Sequence, residues 1–592
     1  MIQLTNGKGT WLQTARTLPA SARVMGLYVL AGRGTGKSRM LGRKIAFGDF
    51  LAGVPQVIFD PVGATIDNFL DKVTWFLYAY PQLAQDPIWD RIIYVDMSGK
   101  DGVVVPFPLY YRTGNERSLL EIAERYLQTI IKSNPALFQA QVLGWPPLHR
   151  IGVYSGMVLS ALGYQITEAE ALLDNPEAWE ASGLFAKAEQ VSPEAKQAVA
   201  YFRNKYIPLR EADRARFTTP FLDKIFTFPL AETLRAMFGA STPGINWNDV
   251  ARKGQTVLLD FRREQNEEMR RFKMLWAFSY LYEWIKTRGR QDDNPFSVII
   301  DEFAHMTQQV VSGKNPLAQE RDEFINVFMR QHTIWFTAAH QELYQIDEQR
   351  RNTMLSLGTY ILGGTSSMES ARELADALYF RDPFWVKDAE PIYGRRYQHS
   401  PLEVIDVRLH YMPLEEQTEL FAQRIRKLGR FQFLLRPALA EGHIGDVVLP
   451  LSISDLDRDK ETGEYQFPES ELMARVRAVL AKKLGIPIAR LLQEQEHRLP
   501  QALPEQPLRL IPSQPRQPSR QRPAGSQTST AVQPRQLVPQ PDGHRAQQHA
   551  QPKPMSQEDR QPSPESAPVS PAESPQPATQ KPAALRRRHR IA

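Results

Sequence analysis

A glycine-rich stretch near the start of the sequence constrains the fold more than any other segment. An apolar run, Val24 to Leu30, leads directly into it, and a helical pattern follows over Ser38 to Leu51. A strand, a glycine-rich turn and a helix in this order surround a phosphate with backbone N–H groups at a helix N-terminus. The stretch between them reads Ala31-Gly32-Arg33-Gly34-Thr35-Gly36-Lys37-Ser38. The sequence therefore predicts a phosphate-binding loop, the P-loop, between a strand and a helix.

The residues of this loop predict a nucleotide and a metal ion. Glycines let the backbone turn inward, and Ala31 stands where the usual pattern has its first glycine. Lys37 is expected to reach the β- and γ-phosphates, and the Ser38 hydroxyl is expected to bind Mg²⁺. We therefore expect residues 31–38 to bind ATP with Mg²⁺. The alternative is a strand-to-helix turn that binds nothing.

A second apolar run, Phe296 to Ile300, ends in two adjacent acids, Asp301 and Glu302. At the carboxyl edge of a parallel sheet, where ligands bind, both would lie beside the loop. Asp301 is then placed to complete the Mg²⁺ shell and Glu302 to polarise the attacking water, since an acid neutralised by metal makes a poor base. The alternative is a pair of acids that begins a surface helix.

A third motif runs from Arg330 to Gln341. Its apolar part, Thr333 to Ala338, is predicted to be a strand between the P-loop strand and the Asp301 strand. Gln341 would then emerge near the γ-phosphate, where its amide can orient water or sense hydrolysis. Arg330 precedes the strand and would lie at the opposite end, either as a surface ion-pair residue or as a finger presented to the nucleotide of a neighbouring subunit.

Further apolar runs alternate with helical patterns such as Glu268 to Lys286 and Ser370 to Tyr379. Because these runs are continuous instead of alternating with polar residues, they indicate strands buried on both faces. Alternation of strand and helix predicts an α/β fold with a mostly parallel, doubly wound sheet. The remaining predicted strands are Gln56 to Asp60, Arg91 to Asp96, Gln255 to Phe261, Thr359 to Leu362 and Arg430 to Leu435.

The alternation stops over residues 115–222, where strand signals vanish and helical patterns dominate. Ser192-Pro193-Glu194, for example, has an N-cap, a proline at the first helical position and an acid in the first turn. The apolar window Ile151 to Thr167 is too short to span a membrane and is predicted to be a buried helix. The predicted division is an ATPase domain in two parts (1–114 and 223–450), an all-helical insertion (115–222), an accessory helical segment (451–498) and a tail (499–592).

The tail accounts for the net charge of +6. Residues 501–592 hold 18 of the 45 prolines, 13 of the 72 Lys and Arg, 6 of the 66 acids and no aromatic residue, which leaves 59 basic and 60 acidic side chains in residues 1–500. The body is therefore near neutral, and net charge is no argument for nucleic-acid binding. A tail so poor in apolar residues is predicted to be disordered.

The chain has no cysteine, which excludes disulfides, iron–sulfur clusters and thiolate zinc sites. Its first residues lack the basic start and apolar stretch of a signal peptide. Together these features predict a cytoplasmic protein with at most peripheral contact at the inner face of the cell membrane.

The motifs together resemble the HerA/FtsK superfamily of P-loop ATPases, and most closely the conjugative coupling proteins of the TraG/TraD type in type IV secretion systems. Val57 to Gly63 resembles the second strand of the family with its Asp-Pro-x-Gly turn, and Gly254 to Leu259 fits the strand before the Walker B helix. Pro106 to Leu109 resembles the Asn-Pro-Leu segment, from which Phe107 and Pro108 depart. The resemblance implies a RecA-like fold, with residues 31–38 as Walker A and the Asp301 strand as Walker B.

The resemblance also implies partners. In that family an arginine before the motif-ending glutamine acts in trans, which assigns Arg330 as a finger in a ring, a hexamer, with DNA passing through its centre. A relaxase and secretion-channel components would be further partners. Typical coupling proteins begin with two membrane-spanning helices, whereas here the P-loop strand is predicted by residue 24. The motor is therefore expected to be soluble, or to be recruited to a membrane by a docking partner.

Three functional hypotheses remain open at this point. The first is an ATP-driven DNA translocase, the second a motor that moves protein substrates, and the third a nucleotide-gated adaptor without motor activity. DNA tracking needs basic residues along a channel, and the usual alternative for such residues is a solvated surface. The candidates are Arg262, Arg263, Arg270, Arg271, Lys273, Lys286, Arg288, Arg290 and the basic end of the tail, Arg586 to Arg590.

Overall fold

The computed structural model describes most of the first 498 residues. The described ranges are 2–3, 17–82, 87–110, 118–124, 127, 145–225, 227–288, 294–307, 331–346, 348–438, 449–453, 462–464 and 466–498.

Within these ranges the strands are β1 (Ile2–Gln3), β2 (Thr17–Leu18), β3 (Leu27–Leu30), β4 (Gln56–Asp60), β5 (Ile92–Asp96), β6 (Val103–Val104), β7 (Thr256–Asp260), β8 (Phe296–Ile300), β9 (Ile334–His340), β10 (Thr359–Leu362), β11 (Val386–Gly394), β12 (Glu403–Tyr411), β13 (Gln432–Arg436), β14 (Leu449–Ser452) and β15 (Ile486–Pro487). Nine of them form a sheet at the centre of the fold, in the order β14-β13-β10-β3-β9-β8-β4-β7-β5. The seven strands from β10 to β5 are parallel, and β13 and β14 add an antiparallel edge. The other six form three two-stranded pairs outside this sheet.

Both faces of the central sheet are buried, which explains the continuous apolar runs of its strands. Along β3, Tyr28 and Leu30 belong to one apolar cluster, while Leu27 and Val29 belong to a second cluster on the other face. The predicted mixed α/β fold with a mostly parallel sheet is therefore confirmed.

Helices cover both faces of the sheet. The P-loop helix runs from Lys37 to Leu51 and contains a π-helical stretch, Leu41–Ala46. The α-helices are Ala20–Val24, Lys37–Met40, Phe47–Leu51, Ala64–Ala79, Trp145–Leu162, Ala169–Asp174, Pro176–Ala181, Leu184–Glu189, Pro193–Tyr201, Glu211–Ile225, Thr227–Leu230, Glu232–Phe238, Trp247–Lys253, Glu267–Arg288, Ala304–Thr307, Glu348–Leu355, Met368–Leu378, Leu414–Arg426, Ser470–Leu484 and Ile488–Glu496. Residues Phe202–Tyr206 form a second π-helical stretch, and Ile88–Arg91, Ile166–Glu168 and Leu343–Gln345 form 3₁₀ turns.

The helix Trp145–Leu162 contains most of the apolar window that was predicted to be a buried helix. Ile151, Met157, Val158 and Leu159 are buried in the larger apolar cluster. Among the described residues, no helix combines the length and the apolar character that crossing a membrane requires.

Several elements differ from the prediction. The P-loop strand begins at Leu27 instead of Val24, because Ala20–Val24 is helical and Gly26 turns the chain with φ +79°. The strand predicted at Arg430 begins at Gln432 and is antiparallel to β10. β14 and the ribbon of β11 and β12 were not predicted from the sequence, whereas the helix Ser470–Leu484 lies within the predicted accessory helical segment. The domain boundaries stay a prediction, and the tail lies outside the described residues.

Candidate functional site

Glycines shape the P-loop between β3 and its helix. Gly34 and Gly36 have φ +79° and +105°, in the left-handed region that favours glycine. A Cβ at Gly36 would lie 2.4 Å from a ring carbon of Phe431. Within the turn, the Thr35 hydroxyl donates to the Gly32 carbonyl at 2.7 Å. Other side chains would strain this turn, so its backbone depends on the glycines that the motif supplied.

Lys37 joins the P-loop to the acids that follow β8. Its Nζ lies 2.6 Å from Asp301 Oδ1 and 2.8 Å from Glu302 Oε2, and all three side chains are buried. Burial alone would lower the pKa of Lys37, but the two carboxylates outweigh it and raise that pKa above its ordinary value. For Asp301, Lys37 likewise overcomes the effect of burial and lowers the pKa. The loop and the acids therefore form one charged site.

Two hydroxyls approach the other oxygen of Asp301. Ser38 Oγ donates to Asp301 Oδ2 at 3.1 Å, and Thr65 Oγ1 donates to it at 2.6 Å. Thr65 comes close because Gly42 of the P-loop helix leaves room: a Cβ there would lie 2.4 Å from the Thr65 carbonyl oxygen. A carboxylate beside hydroxyls is the oxygen-rich, hard donor set that Mg²⁺ prefers. The residues present thus fit this ion.

Glu302 occupies an unusual position for a non-glycine residue. Its φ of +54° lies in the left-handed region, which costs energy and is found mainly where the surrounding structure imposes it. Gln341 Nε2 donates to Glu302 Oε2 at 2.9 Å, whereas the buried Oε1 has no hydrogen-bond partner among the described residues. A buried oxygen without a partner is rare. It is free to accept a hydrogen bond from a water or a ligand in the cavity.

Lys37, Ser38, Asp301, Glu302 and Gln341 line a cavity of about 350 Å³. It is lined by Gly32, Arg33, Gly34, Gly36, Lys37, Ser38, Arg39, Val62, Ala64, Asn68, Asp301, Glu302, Gln341, Arg430, Phe431 and Phe467. A lysine, a hydroxyl, two acids and two amides in this lining can bind phosphates and a divalent cation and position a water.

The predicted site residues are largely brought together. Lys37, Ser38, Asp301, Glu302 and Gln341 are joined by hydrogen bonds, and β9 lies between β3 and β8 as expected. Of the remaining loop residues, Gly32, Arg33, Gly34 and Gly36 line the cavity, Ala31 is buried, and Thr35 bonds within the loop. Arg330 lies outside the described residues.

The sequence did not reveal Thr65, which donates to Asp301, or seven residues of the cavity lining: Arg39, Val62, Ala64, Asn68, Arg430, Phe431 and Phe467. The Asp-Pro-x-Gly turn just before Thr65 was a usable signal for the first, because it places the start of a helix at the edge of the sheet. Arg430 and Phe431 were interpreted as the start of a strand. Phe467 follows no motif.

The basic residues near Arg262 form ion pairs and hydrogen bonds within the fold. Arg262 pairs with Asp67 at 2.6 Å and with Asp260 at 2.8 Å. Lys273 is 1% exposed and donates to the Met97 carbonyl and to Glu264, both at 2.7 Å. The suggestion that Lys273 lines a channel is therefore wrong, since a buried ammonium cannot reach a DNA backbone.

Comparison with known proteins yields matches among solved structures. The unbound bacterial conjugative coupling protein TrwBdeltaN70 matches 74% of this chain and 86% of its own, at 14% identity and a TM-score of 0.42. The plasmid coupling protein TrwB in complex with ADP and Mg²⁺ matches 76% of this chain and 88% of its own, at 13% identity and a TM-score of 0.42. VirB4 of Thermoanaerobacter pseudethanolicus matches 72% of this chain and 88% of its own, at 11% identity and a TM-score of 0.37.

No family model and no curated protein matches the sequence. The chain is thus similar to coupling and VirB4 proteins over about three quarters of its length.

Proposed function

We propose that this chain binds ATP with Mg²⁺ in the P-loop cavity and hydrolyses it. The observation that carries the proposal is the convergence of Lys37 with Asp301 and Glu302, two acids that lie more than 260 residues away in the sequence. A buried lysine held by two carboxylates is poised to exchange them for phosphate oxygens. Without a ligand, the acids stabilise its charge.

Each residue then has one task in the reaction. The P-loop amides and Lys37 bind the phosphates, while Ser38 and Asp301 hold the metal ion. Bound Mg²⁺ would neutralise charge on the β- and γ-phosphates. Glu302 accepts a hydrogen bond from the attacking water through its unpartnered Oε1, and Gln341 keeps the carboxylate in place through Oε2.

The decisive experiment compares Glu302→Gln with the wild-type chain. The amide is similar in shape but cannot accept the proton, so we expect phosphate release to fall by about 10²- to 10⁴-fold while ATP affinity changes little. Steady-state phosphate release and equilibrium binding of ATP measure the two effects. Glu415→Gln, at an exposed acid outside the cavity lining, is the matched control. Unchanged turnover in Glu302→Gln would refute the proposed role.

We further propose that hydrolysis drives movement of DNA through a ring of subunits, a hexamer in which Arg330 reaches the nucleotide of its neighbour. The sequence motifs support this, through their resemblance to coupling proteins. DNA should then stimulate phosphate release at low salt, and stimulation should weaken as salt rises because phosphate contacts are screened. Stimulation by a secreted protein substrate, with no response to DNA, would favour the protein motor instead. A Glu302→Gln chain that still supports transfer in cells would favour the adaptor.

A further inference from the structure

Part of the cavity wall differs chemically from the charged group around Lys37. Two phenylalanines and two arginines, here named the aromatic–arginine cluster, contact one another there. The Arg39 guanidinium lies 5.4 Å from the ring centre of Phe431 and 5.1 Å from that of Phe467. The Arg430 guanidinium lies 4.8 Å and 5.0 Å from the same two rings. All four residues line the cavity that contains the P-loop.

The cluster is fixed directly to the P-loop. The Phe431 backbone N–H donates to the Thr35 carbonyl at 2.8 Å, and the Phe431 ring fills the space beside Gly36. Phe431 itself has φ +65°, a conformation that is unfavourable for an aromatic residue and that the surrounding contacts must impose. Arg39 follows Ser38 in the P-loop helix. A ligand held by the loop therefore lies within reach of the cluster.

The exposure of Phe467 sets this cluster apart from an ordinary core contact. Phe431 is buried, but Phe467 is 55% exposed although it lies in a cavity wall. An exposed phenyl ring with two guanidinium groups over it offers flat groups, the ring itself and the guanidinium planes, that carry positive charge. Such groups stack well with a flat, electron-rich aromatic ring, and none of the four residues of the cluster has a carboxylate that would repel a nucleotide.

We propose that the aromatic–arginine cluster binds the base of the nucleotide whose phosphates the P-loop holds. This rests on the proposed function, since Lys37 reaches the β- and γ-phosphates and the nucleoside must leave the loop on the side of the α-phosphate. Phe467 and the guanidinium planes of Arg39 and Arg430, which lie over its ring, supply the flat surface against which the base stacks.

Equilibrium binding to Mg²⁺-ATP and to Mg²⁺-tripolyphosphate, which has no base, tests this assignment. Phe467→Ala should weaken ATP binding by between about 5-fold and 150-fold, the usual range for the loss of one base–aromatic stack, and leave tripolyphosphate binding unchanged. Phe467→Trp, which keeps an aromatic face, should retain most of the ATP affinity. Phe380→Ala, at a 75% exposed phenylalanine outside the cavity lining, is the matched control and should bind ATP like the wild type.

The other outcomes overturn the assignment in distinguishable ways. Equal losses for ATP and tripolyphosphate in Phe467→Ala would mean that the ring supports the loop instead of the base. If the wild-type chain binds and hydrolyses ATP, and Phe467→Ala binds ATP with the same affinity, the base site is overturned and the proposed function stands. Loss of affinity for an oligothymidylate but not for ATP would assign the ring to single-stranded DNA. A wild-type chain that binds no ATP would overturn both proposals.

Discussion

Two regions of the carboxyl edge of the sheet use the same residue type in opposite ways. An aspartate stands at the carboxyl end of each of the adjacent strands β8, β4, β7 and β5: Asp301 directly follows β8, and Asp60, Asp260 and Asp96 are the last residues of the other three. Asp301 contacts the Lys37 ammonium and the hydroxyls of Ser38 and Thr65 beside the cavity. Side-chain donors of this kind can turn away when a ligand arrives.

The other aspartates are bound to partners that hold the fold together. Asp60 accepts hydrogen bonds from the backbone N–H groups of Val62 and Gly63 at 3.0 and 2.6 Å and of Ile66 at 2.9 Å. Asp260 is held by Arg262 and by the Tyr94 hydroxyl, and Asp96 is held by Arg263.

The electrostatics of the two regions also differ. Burial raises the pKa of Asp60, and the charges of Asp301 and Asp260 add to that effect. At Asp301 the nearby Lys37 lowers the pKa in spite of burial. An acid at a strand end therefore indicates chemistry only when a movable cation or hydroxyl shares its oxygens and a cavity lies in front of it.

The largest expected effect separates the two regions by activity. Asp301→Asn removes the charge that would hold Mg²⁺, which is worth several kcal/mol of transition-state stabilisation, so phosphate release should fall by about 10²- to 10³-fold. Asp260→Asn, at the end of β7, should stay close to the wild-type rate. Phosphate release at saturating Mg²⁺-ATP measures both variants. Equal losses of phosphate release in the two variants would contradict the distinction between Asp301 and the other aspartates.

The second effect separates the regions by stability. Asp60→Ala leaves three backbone N–H groups without an acceptor, of which those of Gly63 and Ile66 are buried, and we expect the free energy of unfolding to fall by about 3 kcal/mol. Asp60→Asn keeps one acceptor oxygen and should lose less. Urea unfolding followed by circular dichroism measures the midpoints. An Asp60→Ala midpoint equal to that of the wild type would show that the turn after β4 does not depend on this cap.

The smallest effect concerns a buried histidine at the same carboxyl edge of the sheet. His340 is buried at the end of β9, where burial first and the Lys37 charge next lower its pKa to about 3. The unfolded chain takes up this proton near pH 6.5, so stability is complete above that pH and is lost as the pH falls toward 3. The expected loss between pH 7 and 5.5 is about 1 kcal/mol.

In His340→Gln this loss should be absent, and unfolding midpoints across that pH range measure it. The Tyr28 hydroxyl and the Glu342 carbonyl contact the ring, and an amide can still bond to both. Identical pH slopes for the two chains would show that the folded imidazole takes up the proton as easily as the unfolded one.

The sequence predicted the central strands well, for a physical reason. A strand buried on both faces is apolar along most of its length, as Phe296 to Ile300 is, so its position can be predicted without knowledge of its neighbours. The P-loop and the acids after β8 could be found because each motif is local. Their meeting at Lys37 followed from the rule that parallel strands bring their carboxyl ends to one edge.

The rest of the site depends on contacts between distant segments. Phe431 reaches the loop only because the chain turns there with a positive φ, and Phe467 reaches it from a segment without any motif. The ribbon of β11 and β12 was missed for another reason. Its strands are exposed, and in Glu403 to Tyr411 the apolar Val407, Leu409 and Tyr411 alternate with polar residues. A search for continuous apolar runs overlooks such a pattern.

The position of β3 in the sheet has a consequence for synthesis of the chain. Its two neighbours, β9 and β10, begin more than 300 residues later. At the pace of translation the P-loop strand waits roughly 15 to 60 s before either neighbour exists. During that interval both of its edges are open to pairing with other chains, so the nascent protein needs shielding until the ribosome has passed the codons for β10.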